Sequence, residues 1–391
     1  MSDQESNACC AENSWNPSRL GWLSLACFEG FGSRSLARLS SYIQDGAEAA
    51  GLNPTELEKI GINPGAAAKY AAFRATFDVE TVLARMQACA MRFVMLEDAD
   101  YPTLLKQISD PPFALFVRGN FDLPSVCVAL VGTRRCTFYG RKVAGELARG
   151  LAQAGLGIVS GLALGIDAAA HEAALESAGW CIAVLGTGCD DASIYPRANY
   201  NLGLRVIQNG GCLVSEFPPG TGSLKHHFPL RNRIIAGLSR AVVVVEADEI
   251  SGSLITAHLA LGYDRDVLSV PGPITSPVST GTNKLLKLGA TPCTSTADIL
   301  EMLELPPCAE PKKVYLEDLN AEERKLLAQL ESPAHMDELA RQSGCPVSEV
   351  ACLLAALEMG GYVTDQGGKI FSRSVAVRNK RVGAHGHAPV G

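Results

Sequence analysis

The chain has 391 residues, 47% of them hydrophobic and 19% charged, a composition typical of a folded protein with roughly two to four domains. A formal net charge of −7 argues against broad, non-specific coating of nucleic acid, so any nucleic-acid site must be a local cluster of cations. The apolar runs are short and interrupted, and the first residues lack a basic stretch followed by an apolar core. We therefore expect no membrane span and no signal peptide.

The 13 cysteines are odd in number and include no Cys-x-x-Cys pair. Several of them, such as Cys127, Cys181 and Cys212, lie inside apolar runs of strand length. Such positions favour buried, reduced thiols in a cytoplasmic protein over a disulfide framework or a metal site. We expect neither a metal nor a cofactor.

The first 85 residues are expected to contain a disordered tail (1–18) and a small helical domain (19–85). Residues 29–33 place two glycines between helical segments. This arrangement is similar to a SAM- or helix-hairpin-helix-like turn, whose amides can hold a phosphate. A Gly-rich turn in a small helical bundle explains the same residues without any ligand.

Residues 86–305 predict an α/β domain. Six apolar runs alternate with amphipathic segments of helix length; the runs are 126–131, 157–159, 181–185, 212–214, 241–245 and 267–270. This alternation predicts an extended, Rossmann-like parallel sheet with helices on both faces. Two further strands, 92–96 and 114–117, have prolines near them and are expected at turns or edges.

The C-terminal part predicts a linker (306–313), a winged-helix-like domain (314–373) and a basic disordered tail (374–391). The helix expected in the recognition position, 347–359, contains two glutamates and no Lys or Arg. Residues 314–372 carry 4 Lys+Arg and 10 Asp+Glu, a net charge of −6. Since a winged helix that reads DNA needs cations near phosphates, we expect this module to dock a protein. The basic tail either adds weak electrostatic tethering or has no role.

Glycine-rich loops follow four of the predicted strands. They contain Gly132, Thr133 and Arg134; Ser160 and Gly161; residues 186–188; and residues 251–253. The carboxyl ends of parallel strands meet at one edge of the sheet, where open α/β folds bind ligands. Glycines let a ligand approach the backbone, and helix N-termini favour negative charge. The loops therefore predict an anion-binding rim.

A basic stretch, KHHFPLRNRIIAGLS (225–239), is expected to be a loop that leads into a helix N-terminus. Lys225, Arg231 and Arg233 supply cations there, and Phe228 supplies an aromatic ring. The chain contains neither GxxxxGK[ST] nor a dinucleotide fingerprint. Together with Arg134, these residues predict a site for a phosphodiester strand with unstacked bases, and electrostatics leaves DNA and RNA equally open.

Seven motifs occur in order between residues 131 and 274: VGTRRCTFYG, SGLALGIDAAAH, LGTG with IYP, LVSEFPPGT, HFPLRNRIIAGLS, VVEADEISGSLITA and SVPGPI. In this order they closely resemble the DNA-processing protein DprA (Smf) family, and the resemblance extends over about residues 19–375. It implies a homodimer that binds single-stranded DNA, protects incoming single strands, and helps load the RecA recombinase against single-strand-binding protein in natural transformation.

The resemblance also implies particular DNA contacts. The family's phosphate-binding arginine corresponds to Arg134, and its lysine and aromatic residue correspond to Lys225 and Phe228. The FPxRN motif adds Arg231, Asn232 and Arg233. Residues 189–193 lengthen the family's segment between GTG and IYP and place two aspartates beside the expected rim, where they either narrow the DNA path or face away from it.

The alternative function is a nucleotide-binding hydrolase, similar in fold to nucleotide N-glycosidases. Its acid–base residues would be Asp167 and His171, four apart on one predicted helix, or Glu216 and Glu246 at strand ends. The sequence shows no nucleophile or metal partner beside them and no PGGxGTxxE motif. We therefore expect structural roles for these residues and no enzymatic activity.

Overall fold

The structure, a computed structural model, describes residues 15–306, 314–315, 319–330, 332–365, 368–373 and 377–378. The chain divides into two compact units, residues 1–308 and 309–391. Most of the predicted tails and linker (1–14, 307–313, 374–376 and 379–391) lies outside the described residues.

The first unit opens with six helices, three of which begin with an Asn-Pro pair. They are α1 (Pro17–Ala26), α2 (Ser33–Tyr42), α3 (Gly46–Gly51), α4 (Pro54–Lys59), α5 (Pro64–Thr76) and α6 (Val79–Ala88). Asn16, Asn53 and Asn63 each accept a hydrogen bond from a first-turn N–H, and proline follows at the first helical position. Because of this cap, α1 begins at Pro17, two residues before the predicted start of the helical region.

The strands that follow form one sheet. They are β1 (Met91–Met95), β2 (Ala114–Gly119), β3 (Cys127–Val131), β4 (Gly157–Ser160), β5 (Cys181–Leu185), β6 (Cys212–Ser215), β7 (Ala241–Val244), β8 (Asp266–Ser269) and β9 (Thr291–Pro292). Their order is β1-β2-β6-β5-β4-β3-β7-β8-β9. The pairs β1–β2 and β2–β6 are antiparallel and the others are parallel. The predicted parallel sheet is confirmed. β1 lies at an edge, whereas β2 is an inner strand.

Helices cover both faces of this sheet. They are α7 (Thr103–Lys106), α8 (Phe138–Gln153), α9 (Ile166–Glu176), α10 (Tyr200–Gln208), α11 (His227–Gly237), α12 (Gly252–Gly262), α13 (Thr280–Lys287) and α14 (Thr296–Met302). Alternate residues of a strand serve opposite faces. Val128 and Leu130 pack with α8, α9, α10, α14 and the N-terminal helices, whereas Ala129 and Val131 pack with α7, α11, α12 and α13. The N-terminal helices therefore share a core with the sheet.

The strand order reverses at β3. From β3 the chain builds β4, β5 and β6 on one side, and it then crosses to build β7, β8 and β9 on the other. The loops that follow β3 and β7 therefore lead away from each other. At the carboxyl ends of such a pair, open α/β sheets form a crevice in which ligands bind.

The second unit is a winged helix, as predicted. Its elements are β10 (Val314–Tyr315), α15 (Ala321–Ala328), β11 (Ala334–His335), α16 (Met336–Ser343), α17 (Val347–Met359), β12 (Val363–Asp365), β13 (Ile370–Arg373) and β14 (Val377–Arg378). Strand β13 pairs with β11 and β12, both antiparallel, and the short β11 is an addition to the predicted hairpin. The unit has a core of its own around Leu339, Leu354 and Leu357. Within the described parts of both units, no helix is long and apolar enough to span a membrane.

Candidate functional site

The loop after β3 presents Arg134 to solvent. Thr133 behind it is buried; its N–H donates to the Glu246 carbonyl at 2.8 Å, and its hydroxyl accepts from the Arg135 N–H at 3.2 Å. Gly132 lies so close to Ile166 that a Cβ would come within 2.6 Å of that side chain. Gly132 and Thr133 therefore shape the loop, and Arg134 is one of its solvent-exposed residues.

The basic stretch is helical earlier than expected, since α11 begins at His227. Pro229 is accommodated because it lies in the first turn, where backbone N–H groups have no intrahelical acceptor. Lys225 lies exposed in the turn before the helix. The His227 ring points inward, stacked on Phe217 with 3.8 Å between ring centres, with Nδ1 3.2 Å from the Gly186 carbonyl. Burial lowers the pKa of His227.

Arg134 and Phe228 meet at the carboxyl edge of the sheet. The Arg134 Cζ lies 5.1 Å from the centre of the Phe228 ring, a cation–π contact. Gly186 backs this ring, and a Cβ there would lie 3.1 Å from it. Tyr195, 44% exposed, lies 5.9 Å from Phe228 between ring centres. We call Arg134, Tyr195, Lys225 and Phe228 the cation–aromatic rim. It combines cations for phosphates with rings for bases.

Tyr195 was not among the predicted site residues. It lies in the IYP motif, more than 30 residues before Phe228, and only the fold brings the two rings together. An aromatic residue in the loop after a parallel strand was the available signal, because that loop lies at the ligand-binding edge.

Arg231 lies below the rim, contrary to the expectation that it contacts the ligand. It is 4% exposed, and its Nη1 donates to the Val184 carbonyl at 2.9 Å. The guanidinium fills the space beneath Gly161, where any Cβ would collide with it. Burial lowers the pKa of Arg231 to about 10, although the nearby Asp167 charge acts in the opposite direction. Arg231 is therefore part of the support under the rim.

The loop after β4 is held by its own acid. The Gly161 N–H donates to Asp167 Oδ2 at 3.0 Å, and the Ser160 hydroxyl donates to the Leu130 carbonyl at 2.6 Å. Neither predicted donor is free for a ligand. His171 is fully buried, and its ring nitrogens have no hydrogen-bond partner in the described parts of the chain. Burial raises the pKa of Asp167 and lowers that of His171 to about 4. Acid–base chemistry at this pair has no access to solvent.

Arg233 also departs from its expected place on the rim. Its Nη2 donates to Glu216 Oε1 at 2.6 Å, and its Nε lies 3.8 Å from Asp110 Oδ2. Ser33, at the start of α2, donates its hydroxyl proton to Glu216, and Tyr263, directly after α12, donates to Asp110 at 2.6 Å. We call these five residues the α11 clamp. Within it the Arg233 guanidinium is already paired, and Ser33, which follows the Gly-rich turn, bonds to a carboxylate of the chain itself.

Asn232, the remaining predicted residue of the motif, ties α11 to its neighbour. Its Nδ2 donates to the Gly252 carbonyl at 3.2 Å, at the start of α12. The side chain is partly exposed. Asn232 therefore links α11 to the start of α12, while the α11 clamp links it to Glu216 and Asp110.

The two aspartates of the lengthened segment are both engaged within the protein. Asp190 is buried, and its Oδ1 accepts from the Gly220 N–H at 2.7 Å. Asp191 pairs with Arg118 at 2.7 Å, and this pairing holds the pKa of Asp191 below its usual range. Both aspartates thus stabilise loops through contacts within the protein, to Gly220 and Arg118, and do not line the rim. Among the residues described, no cluster of His, Cys, Asp or Glu could hold a metal ion.

A doubly covered parallel sheet with a cation–aromatic rim at its carboxyl edge, followed by a winged-helix unit, defines an extended Rossmann-type protein with an appended winged helix. The model of the family "DNA recombination-mediator protein A" matches residues 92–304, and the model of the "DprA winged helix domain" matches residues 310–369. The chain therefore belongs to the DNA recombination-mediator protein A (DprA, Smf) family.

Relatives support the same assignment. The chain is 35% identical to Protein Smf of Escherichia coli (strain K12) over 351 residues, which cover 88% of this chain and 92% of the relative. It is 47% identical to DNA processing protein DprA of Streptococcus pneumoniae over 213 residues, 54% of this chain and 74% of that protein. The X-ray structure of DprA from Streptococcus pneumoniae superimposes with a TM-score of 0.62 at 36% identity, covering 73% of this chain and 97% of that one.

Proposed function

We propose that this protein binds single-stranded DNA at the cation–aromatic rim. The observation that carries the proposal is the placement of the Arg134 guanidinium 5.1 Å above the Phe228 ring, at the open carboxyl edge of the sheet. A strand can then place a phosphate on Arg134 or Lys225 and a base on Phe228 or Tyr195. Base stacking on such rings contributes about 1–3 kcal/mol per base. The names of the relatives, DNA processing proteins, favour DNA over RNA.

The proposal includes a cellular role that follows the family resemblance. The protein holds incoming single strands in the cytoplasm, protects them, and hands them to the RecA recombinase against single-strand-binding protein during natural transformation. Phosphate contacts at the rim explain retention without sequence preference, because every nucleotide offers the same charge. Stacking at two aromatic rings is equally tolerant of sequence.

The hydrolase alternative has less support, since its candidate acids are occupied. Glu246 is 2% exposed and accepts from the Thr137 N–H at 2.8 Å, and Glu216 is paired with Arg233. Thr137 caps α8 beside the reversal of strand order, where Rossmann-type sheets place a nucleotide phosphate at a helix N-terminus. The Glu246 carboxylate takes that place here and repels a phosphate. We therefore propose a non-catalytic function.

The winged helix supplies the docking surface for the recombinase in this proposal. Exposed residues of α17 include Glu349, Cys352, Glu358 and Met359, and the helix has no cation. A surface of acids and apolar side chains repels DNA and suits a protein partner with basic and apolar groups.

One experiment tests binding, docking and hydrolysis together. The full chain and a chain that ends at residue 306 are titrated with labelled oligothymidylate, and both are expected to bind with equal affinity. Only the full chain is expected to speed recombinase assembly on the oligonucleotide. Incubation of the full chain with nucleoside monophosphates is expected to release no free base. Release of base would favour the hydrolase, and absence of oligonucleotide binding would refute the proposed function.

We also propose that the protein is a homodimer, and that the surface is the apolar face beside α12 and α13. Ile250, Ile255 and Leu288 are exposed there, the first of them at 93%, and they line a shallow cavity of about 220 Å³. Leu288→Glu is expected to convert the dimer into a monomer, because a charge on an apolar interface loses its hydration on association. Light scattering after gel filtration measures the mass. Met359→Glu, on an exposed position of the second unit, is the control that should stay dimeric; a dimeric Leu288→Glu protein would exclude this face.

A further inference from the structure

A cavity of about 530 Å³ opens beside the reversal of strand order, at the carboxyl ends of β3, β7 and β8. It is lined by Thr137, Tyr139, Glu246, Pro271, Pro273 and Ser276. None of these residues belongs to the cation–aromatic rim. Its position is the crevice where an open α/β sheet binds its ligand.

The chemistry of the cavity suits a flat, uncharged ring. The Tyr139 side chain is 45% exposed, and its hydroxyl donates to the Pro271 carbonyl at 3.2 Å, which fixes the orientation of the ring. Pro271 and Pro273 add apolar surface, and Ile274, 94% exposed, lies between Pro273 and Ser276 in the sequence. The buried Glu246 carboxylate places a negative charge at the back, so a phosphate is disfavoured inside. The Thr137 hydroxyl donates to Glu246 and accepts from the Gly140 N–H at 3.1 Å, so the Ser276 hydroxyl on the cavity lining is the polar partner offered to a ring edge.

The cavity and the rim are built from neighbouring residues of the chain. Tyr139 follows Arg134 by five residues, so their Cα atoms lie at most about 17 Å apart. A strand whose phosphate sits on Arg134 can therefore reach the cavity within a few nucleotides. We propose that this cavity is a second base-binding site, in which Tyr139 stacks on one nucleobase of the single strand held at the rim. This inference rests on the proposed function.

The test measures the affinity of the full chain for oligothymidylates of four to fifteen nucleotides. Tyr139→Ala is expected to weaken binding of the longer oligonucleotides about 5- to 50-fold, the loss of one stacked base, and to leave the shortest ones unchanged. Tyr139→Phe keeps the ring but loses the hydroxyl bond to Pro271 that orients it, and should therefore lose much less affinity than Tyr139→Ala. Tyr42→Ala removes a tyrosine that is 68% exposed on α2 and serves as the matched control. Circular dichroism verifies that each variant is folded.

The outcomes separate this inference from the proposed function. If Arg134→Ala weakens binding and Tyr139→Ala does not, the second base site is wrong while the rim stands. If neither variant changes the affinity, both the second base site and the proposed function are wrong. An equal loss at every length would mean that Tyr139 acts only through the Arg134 loop, which also overturns the inference. A strand with one 5-iodouracil, moved along its length, should cross-link to the peptide that contains Tyr139 at one position and to that of Phe228 at another.

Discussion

Arg134→Ala is expected to weaken binding of a single-stranded oligonucleotide about 10- to 100-fold at moderate salt, because the change removes both a phosphate contact and the cation–π partner of Phe228. The slope of log K against log salt should become shallower by about one unit, the signature of one lost phosphate contact. Fluorescence anisotropy at several salt concentrations measures both quantities. Stability should change little, since Arg134 is exposed.

Two further variants make this prediction specific. Lys225→Ala should reproduce the shallower salt slope, since Lys225 lies exposed in the turn before the helix that carries Phe228. Arg240→Ala is the matched control. That arginine is also exposed, but it precedes β7 at the opposite, amino-terminal edge of the sheet, and its loss should leave the affinity unchanged. If neither Arg134→Ala nor Lys225→Ala changed the affinity, the assignment of the rim would be wrong.

Arg233→Ala is expected to act mainly on stability and to lower the free energy of unfolding by about 3–5 kcal/mol. The side chain of Arg233 is 9% exposed, and its removal leaves the carboxylates of Glu216 and Asp110 without their cation. A buried charge without a partner is the costly state, more so than the absence of the pair. Chemical denaturation followed by circular dichroism measures the loss.

A double-mutant cycle distinguishes this structural role from a role in DNA binding. The cycle compares Glu216→Gln, Arg233→Met and the double variant, which removes the charges of this pair and leaves Asp110 its hydrogen bond from Tyr263. The double variant should be more stable than Arg233→Met alone. The folded fraction of the double variant should bind oligothymidylate with an affinity within a few-fold of the wild type, in contrast to Arg134→Ala. A strong loss of affinity with normal stability would instead return Arg233 to the DNA site.

The sheet could be predicted from the sequence because its strands are buried on both faces and therefore read as unbroken apolar runs. The places of Arg231 and Arg233 could not be predicted, because the sequence does not show at which residue the loop ends and the helix begins. Once the helix is known to begin at His227, the spacing of Arg231, Ile235 and Leu238 identifies one buried stripe, and the arginine belongs to it. The arginines of the motif thus correctly indicated a basic region, but their presence did not indicate whether each side chain points to solvent or into the protein.

The contacts that complete the rim depend on distant parts of the chain. Tyr195 contacts Phe228 because the loops that follow β5 and β6 lie at the same edge of the sheet. Asp190 points inward because its carboxylate accepts a hydrogen bond from the Gly220 N–H. Local periodicity carries no information about either contact. The Arg134–Phe228 pair was within reach of prediction, since both residues lie in motifs at the carboxyl edge, although no sequence pattern specifies the distance between them.

The shared core of the N-terminal helices and the sheet has a consequence for synthesis of the chain. Trp22 on α1 packs on Phe113 with 5.1 Å between ring centres, and Ser33 bonds to Glu216, 183 residues further on. The apolar side of α1 therefore stays uncovered until Phe113 has been made, and the bond from the start of α2 to Glu216 forms only after more than half of the polypeptide has been made. The winged helix emerges last and encloses its own core, so it needs no such delay. A translational pause or chaperone contact early in the chain would thus affect the first unit and spare the second.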